Sequence, residues 1–336
     1  MPFSQYGAQV LWERIPLFSS QLPAFMVVLL LSLGILAWSA DRFVETAAIG
    51  AKQLGISALT IGILIIGLGT SLPEIIVSAL AAYQGNPGIA LGNALGSNIA
   101  NIGLILGITA LIAPIALPKQ MLTREYRILL IVTVGVAAMA IDSQFTRLDG
   151  AIMLLGLAAV LAWLFFEAKR GGAESIREAQ MELVTRPKAP APGLVIGLFI
   201  GLGLLLISSQ ALVWSASGLA SLLGVSDLII GLSIVAIGTS LPELAAGIAS
   251  IRRGHDSLIM GNIIGSCIFN LLAVIGIAAL VQPFAFAGVS LLRDYGIMVL
   301  FLLVIIGFGR AIGRGAALFL LTSYIGYQAL LLFMGE

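Results

Sequence analysis

The sequence predicts an all-α polytopic membrane protein in which ten transmembrane helices form two inverted five-helix repeats. Three observations predict it. Hydrophobic residues fill 60% of the 336 positions, only 10% are charged, and the mean hydropathy is +1.10, far from the values of water-soluble domains. Sliding the chain against itself by 169 residues superposes Gly69 to Glu74 on Gly238 to Glu243, Gly92-Asn93 on Gly261-Asn262 and Gly96-Ser97 on Gly265-Ser266. The same shift places Asn101 on Asn270, Pro114 on Pro283 and Tyr126 on Tyr295 without a gap, which marks an internal duplication. The third observation is the uneven placement of Lys and Arg along the chain.

In chain order, residues 1 to 23 read as a short polar lead. The apolar run that follows is part of the fold and no signal peptide, because it matches residues 194 to 214 at the repeat offset. Stretches long enough to cross a ~30 Å hydrocarbon core fall near 24–47, 57–83, 88–113, 125–141 and 148–167, and recur near 193–221, 226–251, 257–281, 294–309 and 315–334. Five spans per copy is an odd number, so the second copy enters the membrane from the opposite face. The first repeat is thus 1–167 and the second 193–336. Residues 168–192, AKRGG at the start and RPKAPAP at the end, read as a flexible cytoplasmic linker.

With the N-terminus outside, the inner side collects Arg42, Lys52, Lys119, Arg124, Arg127, Lys169, Arg170, Arg177, Arg186, Lys188, Arg252, Arg253, Arg310 and Arg314. Only Arg14, Arg147 and Arg293 remain outside. This split predicts a multi-pass protein of the plasma or inner membrane with both termini outside. Cys267 is the only cysteine, which excludes an intrachain disulfide.

The duplicated stretch that carries chemistry reads GTSLPEII at 69–76 and GTSLPELA at 238–245. Each copy sets a glutamate, Glu74 or Glu243, in an apolar segment, where a charge costs roughly 2.5 kcal/mol or more at mid-bilayer and so faces a partner or a wet cavity. Thr70 and Thr239 stand four residues before the acids, on the same helical face. Pro73 and Pro242 lack the N–H that would bond the carbonyls of Gly69 and Gly238, so free carbonyl oxygens are expected beside the carboxylates. A second stretch, GNALGSNIANI at 92–102 and GNIIGSCIFNL at 261–271, again spaces Ser97 from Asn101, and Ser266 from Asn270, by four. Inversion brings both acids together near the midplane. A hard cation such as Ca²⁺ takes roughly 6 to 8 oxygens, and two carboxylates with freed carbonyls supply about that number.

These paired motifs closely resemble the alpha-repeats of the sodium/calcium exchanger family, the cation/calcium antiporters, over both halves of the chain. The resemblance implies exchange of cytoplasmic Ca²⁺ for external Na⁺ by alternating access, with no cofactor and no catalysed reaction. It assigns Ca²⁺ to Glu74 and Glu243 with the backbone oxygens of Thr70 and Thr239. It assigns Na⁺ to Ser71, Ser97, Ser240 and Ser266 with the carbonyls of Gly67 and Ala236, and sets Asn101 and Asn270 beside the centre. The chain departs from the family at one place. Many members, notably potassium-dependent ones, have an aspartate where this chain has Asn270, which predicts transport indifferent to K⁺.

Rival readings fare less well. An intramembrane aspartyl protease needs paired aspartates, and the motif helices offer none at comparable positions. Channels usually build acidic rings by oligomerisation around an open axis. A Ca²⁺/H⁺ antiporter, or one exchanging another divalent cation for H⁺, is the alternative, although the GN-x-x-E motif usual in proton-coupled relatives is absent. Small cations and the bilayer are the expected partners, without nucleic acid or an obligate protein. Asn93 and Asn262 read as helix-packing hydrogen bonds, Asp41 and Glu45 as interfacial or paired with Arg42, His255 as a solvated loop residue, and Cys267 as small buried packing.

Overall fold

The computed structural model describes residues 5–54, 56–117, 119–181, 191–224, 238–286, 288–309 and 311–334. It is almost wholly helical. The helices are α1 (Gln5–Leu54), α2 (Ala58–Thr70), α3 (Leu72–Tyr83), α4 (Gly88–Ile112), α5 (Glu125–Met139) and α6 (Arg147–Met181). They continue with α7 (Ala191–Leu222), α8 (Leu241–Arg252), α9 (Asp256–Val281), α10 (Gly288–Gly307) and α11 (Arg314–Met334). Among the described residues, 5 helices are long and apolar enough to cross a membrane: Gln21–Leu54, α4, Arg147–Glu167, Gly193–Leu222 and α9. The pair α2 and α3, bent by 44° at one residue, makes a sixth if the two are counted as one span.

Two elements run further than the sequence suggests. Helix α1 continues N-terminally through Pro23 and Pro16 into the expected polar lead, each ring removing one intrahelical hydrogen bond from a 50-residue helix. Helix α6 continues to Met181, so the first part of the expected linker is helical. Its AESIREAQ stretch is rich in strong helix formers, and Gly171-Gly172 costs only about 1 kcal/mol per glycine. Residues 182–190 lie outside the described set.

The helices pack into two apolar cores. The larger, around Ile102, Leu106, Tyr126, Ile263, Leu271 and Met298, joins α4 and α5 to α9 and α10. The smaller, around Phe43, Val44 and Leu205, joins α1 to α7, where Gly201 lets the backbones close: a Cβ there would lie 3.1 Å from Phe43 Cα. Contacts between the copies come in reciprocal pairs. Strand β1 (Ile115–Ala116) pairs antiparallel with β4 (Ala311–Ile312), and β2 (Gln144–Phe145) with β3 (Phe284–Ala285). The Tyr126 hydroxyl donates to the Leu302 carbonyl, and Tyr295, its counterpart 169 residues on, donates to the Thr133 carbonyl, the counterpart of Leu302.

Candidate functional site

The two GTSLPE motifs fold alike. Helix α2 ends at Thr70, Ser71 turns with φ −82° and ψ 1°, and α3 begins at Leu72 with Pro73 in its first turn. In the second copy Ser240 turns with φ −90° and ψ 7°, and α8 begins at Leu241 with Pro242 in its first turn. A proline there sacrifices no bond, since the first N–H groups of a helix have no intrahelical partner. The chain therefore breaks before the proline, and each glutamate falls in the first turn of a new helix, where the helix dipole favours negative charge.

The sequence does not announce the wide π-helical turns that frame the site, at Gly62–Gly67, Asn101–Leu106 and Asn270–Val274. Such turns re-aim side chains and are frequent at functional sites. Asn101 and Asn270 each open one.

Both acids are almost fully buried, Glu74 at 1% and Glu243 at 2% exposure. Glu243 interacts with Glu74 and lies beside the hydroxyls of Thr70 and Ser71, so residues from both copies meet. Thr70, Ser71, Ser97, Asn101, Ser240, Ser266 and Asn270 are buried as well, and Thr239 is half-buried. The Ser266 hydroxyl donates to the Gly67 carbonyl at 3.5 Å, which joins two expected ligands from opposite copies. Ala236 lies outside the described residues. Seven side-chain oxygens in this group are buried without a hydrogen-bond partner: Ser71 Oγ, both carboxylate oxygens of Glu74, Asn101 Oδ1, Ser240 Oγ, Glu243 Oε2 and Asn270 Oδ1. Buried polar atoms are nearly always satisfied. A cluster of unsatisfied oxygens, two carboxylates among them, suits a dehydrated hard cation.

One expected free carbonyl is taken. Gly238 O accepts from Ser209 Oγ at 3.3 Å, because α7 brings a hydroxyl to the break. Its counterpart in the first copy is Ala40, which has none, so sequence comparison between the copies gives no warning.

Asn93 and Asn262 hold the site from behind, as packing bonds. Asn93 Nδ2 donates to the Glu74 carbonyl at 3.3 Å and to Ser78 Oγ at 3.0 Å. Asn262 Nδ2 donates to the Glu243 carbonyl at 3.4 Å, while its Oδ1 accepts from Thr70 Oγ1 at 3.2 Å. Asp41 is not the partner of Arg42. Glu45 does pair with Arg42, at 3.1 Å, but Asp41 binds Arg253, whose Nε lies 2.7 Å from Asp41 Oδ1. Arg253 follows the helix of Glu243 and reaches Glu45 as well, at 3.3 Å, so fold geometry supplies a cation that sequence proximity did not suggest. These carboxylates, Asp41 first, push the Arg253 guanidinium further above its ordinary range. His255 is half-buried at the start of α9 and has an interaction of its own, so it is not simply solvated. Cys267 is buried, as expected.

Comparison with known proteins identifies the family. The sodium/calcium exchanger protein profile matches residues 24–166 and 193–333, one segment per copy. The chain is 44% identical over 313 residues to the putative antiporter CaxA of Alkalimonas amylolytica, covering 91% of this chain and 98% of that one. It is 30% identical over 344 residues to the sodium/calcium exchanger MaX1 of Methanosarcina acetivorans, covering 92% and 98%. Its structure resembles the sodium-calcium exchanger NCX_Mj solved with 2.5 mM Na⁺ and 10 mM Sr²⁺, with a TM-score of 0.79 at 31% identity over 91% of this chain and 98% of that one. The chain is a membrane protein of the sodium/calcium exchanger family.

Proposed function

We propose that the protein is a secondary active antiporter that expels Ca²⁺ in exchange for Na⁺, by alternating access at one midplane site shared by both repeats. The observation that carries this reading is the cluster of seven buried, unpartnered oxygens drawn from both copies of the motif. The site comprises Glu74, Glu243, Thr70, Thr239, Ser71, Ser240, Ser97, Ser266, Asn101, Asn270, Gly67 and Ala236. Two like charges in one dry cavity repel unless a cation stands between them, so Ca²⁺ and Na⁺ compete for one set of ligands.

Ten spans in two inverted repeats, with both termini outside and the linker cytoplasmic, complete the proposal. The strand pairs support it, because each joins loops that the charge distribution assigns to the same face. Strands β1 and β4 lie near Lys119, Arg124, Arg310 and Arg314, while β2 and β3 lie near Arg147 and Arg293.

Ca²⁺ flux in proteoliposomes under separately imposed Na⁺, K⁺ and H⁺ gradients tests the reading. An outward Na⁺ gradient is expected to drive Ca²⁺ uptake, with K⁺ making no difference. Ca²⁺ movement driven by the H⁺ gradient and indifferent to Na⁺ selects the proton-coupled alternative instead.

A further inference from the structure

Asn98 belongs to none of the expected ligands, yet its side chain is fully committed. It is 1% exposed, and its Nδ2 donates to the Cys267 carbonyl at 3.4 Å and to Met298 Sδ at 3.4 Å. A peptide carbonyl only accepts, so the Asn98 amide has a single orientation, with Oδ1 turned toward α9. That oxygen accepts from Asn270 Nδ2 at 3.0 Å, which in turn fixes the Asn270 amide. What remains is Asn270 Oδ1, buried and without a partner like the other open oxygens of the motifs.

The other copy has a different residue at the corresponding place. At the repeat offset Asn98 corresponds to Cys267, and Asn270 to Asn101. Cys267 lies beside the Asn101 side chain, and Asn101 Oδ1 is also buried without a partner. In each copy, then, the residue following the motif serine lies beside the asparagine contributed by the other copy, and at Asn98 a hydrogen bond fixes that asparagine's amide.

We infer that Asn98 is a positioning residue that presents the Asn270 carbonyl oxygen to the transported cation and makes position 270 fit for a neutral amide and unfit for a carboxylate. The inference rests on the shared-site reading. An ionised aspartate at 270 has no proton to donate, so its oxygens would face the fixed Asn98 Oδ1 across the 3.0 Å that a hydrogen bond now spans, and only its protonated form could bond there. An ionised acid at position 270 thus calls for a different residue at position 98, and the two positions together set the charge of the site.

The test is a double-mutant cycle of Asn98→Cys and Asn270→Asp in the full-length chain, reconstituted in proteoliposomes. Apparent Na⁺ and Ca²⁺ affinities are read separately from maximal rate and from thermal unfolding. Cysteine is chosen because it already fills the corresponding place in the other copy. Asn98→Cys frees the Asn270 amide to rotate and is expected to weaken apparent cation affinity about tenfold with maximal rate retained. Asn270→Asp alone is expected to transport worse than the double variant, in which the opposing oxygen is gone. Independent, multiplying effects of the two substitutions overturn the inference, as does an Asn98→Cys protein altered only in unfolding temperature. If Asn98→Cys fails to fold, Asn98→Ser takes its place, since a hydroxyl can donate or accept. Equal losses in Asn270→Asp with and without it again overturn the inference. Glu74→Gln, assayed in the same vesicles, separates the two levels. Normal exchange in that variant sinks the shared site itself, whereas lost exchange with independent effects at 98 and 270 sinks only the role of Asn98.

Discussion

Glu74 and Glu243 each open a helix, so their carboxylates meet the positive end of a dipole from one side and each other from the other. On the shared-site proposal, their mutual repulsion is left for a cation to relieve. Replacing either acid by Gln removes charge while nearly keeping volume. Glu74→Gln and Glu243→Gln are each expected to insert and fold but to lose exchange by about 100-fold or more, and the double variant to lose little beyond that, because the ligands of one site act together. Flux and Ca²⁺ binding in matched vesicles check this, and near-normal exchange by either single variant contradicts it. These acids were legible in the sequence because a charge in an apolar run needs a reason. Asn98 and Ser209 were not. Their significance lies in which atoms of the other copy, or of a neighbouring helix, stand within about 3 Å, the distance of a hydrogen bond, and no spacing along the chain encodes that.

At the scale of elements, the break before each proline was visible from residue type, whereas the π-helical turns were not, since no residue pattern in 62–67, 101–106 or 270–274 sets them apart from ordinary helix. Glycines of the second copy let two helices approach closely. A Cβ on Gly261 would lie 2.4 Å from the Leu59 carbonyl and 2.8 Å from Gly62 Cα, and one on Gly265 would lie 2.9 Å from Ile63 Cα. Helices α2 and α9 therefore touch backbone to backbone just before the motif. Gly261→Ala is expected to force them apart, at a cost of about 1–3 kcal/mol, and to reduce transport by misplacing Thr70 against Asn262. Thermal unfolding in detergent together with flux measures both effects. An alanine variant with wild-type stability and rate would show that the contact is dispensable. The extent of α1 and α6 escaped the sequence for a different reason: prolines and glycines there are outweighed by strong helix formers on either side.

For the molecule as a whole, the charge distribution predicts that a reporter within residues 182–190 is cytoplasmic and one after Glu336 lies on the opposite side. Both reporters on one side would refute the ten-span count. Transport is also expected to be unchanged when K⁺ is replaced by choline, because the neutral amide of Asn270 stands where potassium-dependent members carry an acid; a strict K⁺ requirement would refute that. The reciprocal bonds of Tyr126 and Tyr295 reach further still. Residue i of one copy bonds residue j of the other, and the partners of each bond recur with the copies exchanged. That is the pattern of an isologous interface between identical subunits, here held within a single polypeptide. The peptide connection between the halves then contributes proximity more than structure. Residues 1–181 and 191–336, produced as two separate chains in one membrane, are expected to associate and restore Ca²⁺ exchange, with Tyr126→Phe and Tyr295→Phe together weakening the pair far more in the severed protein than in the continuous one.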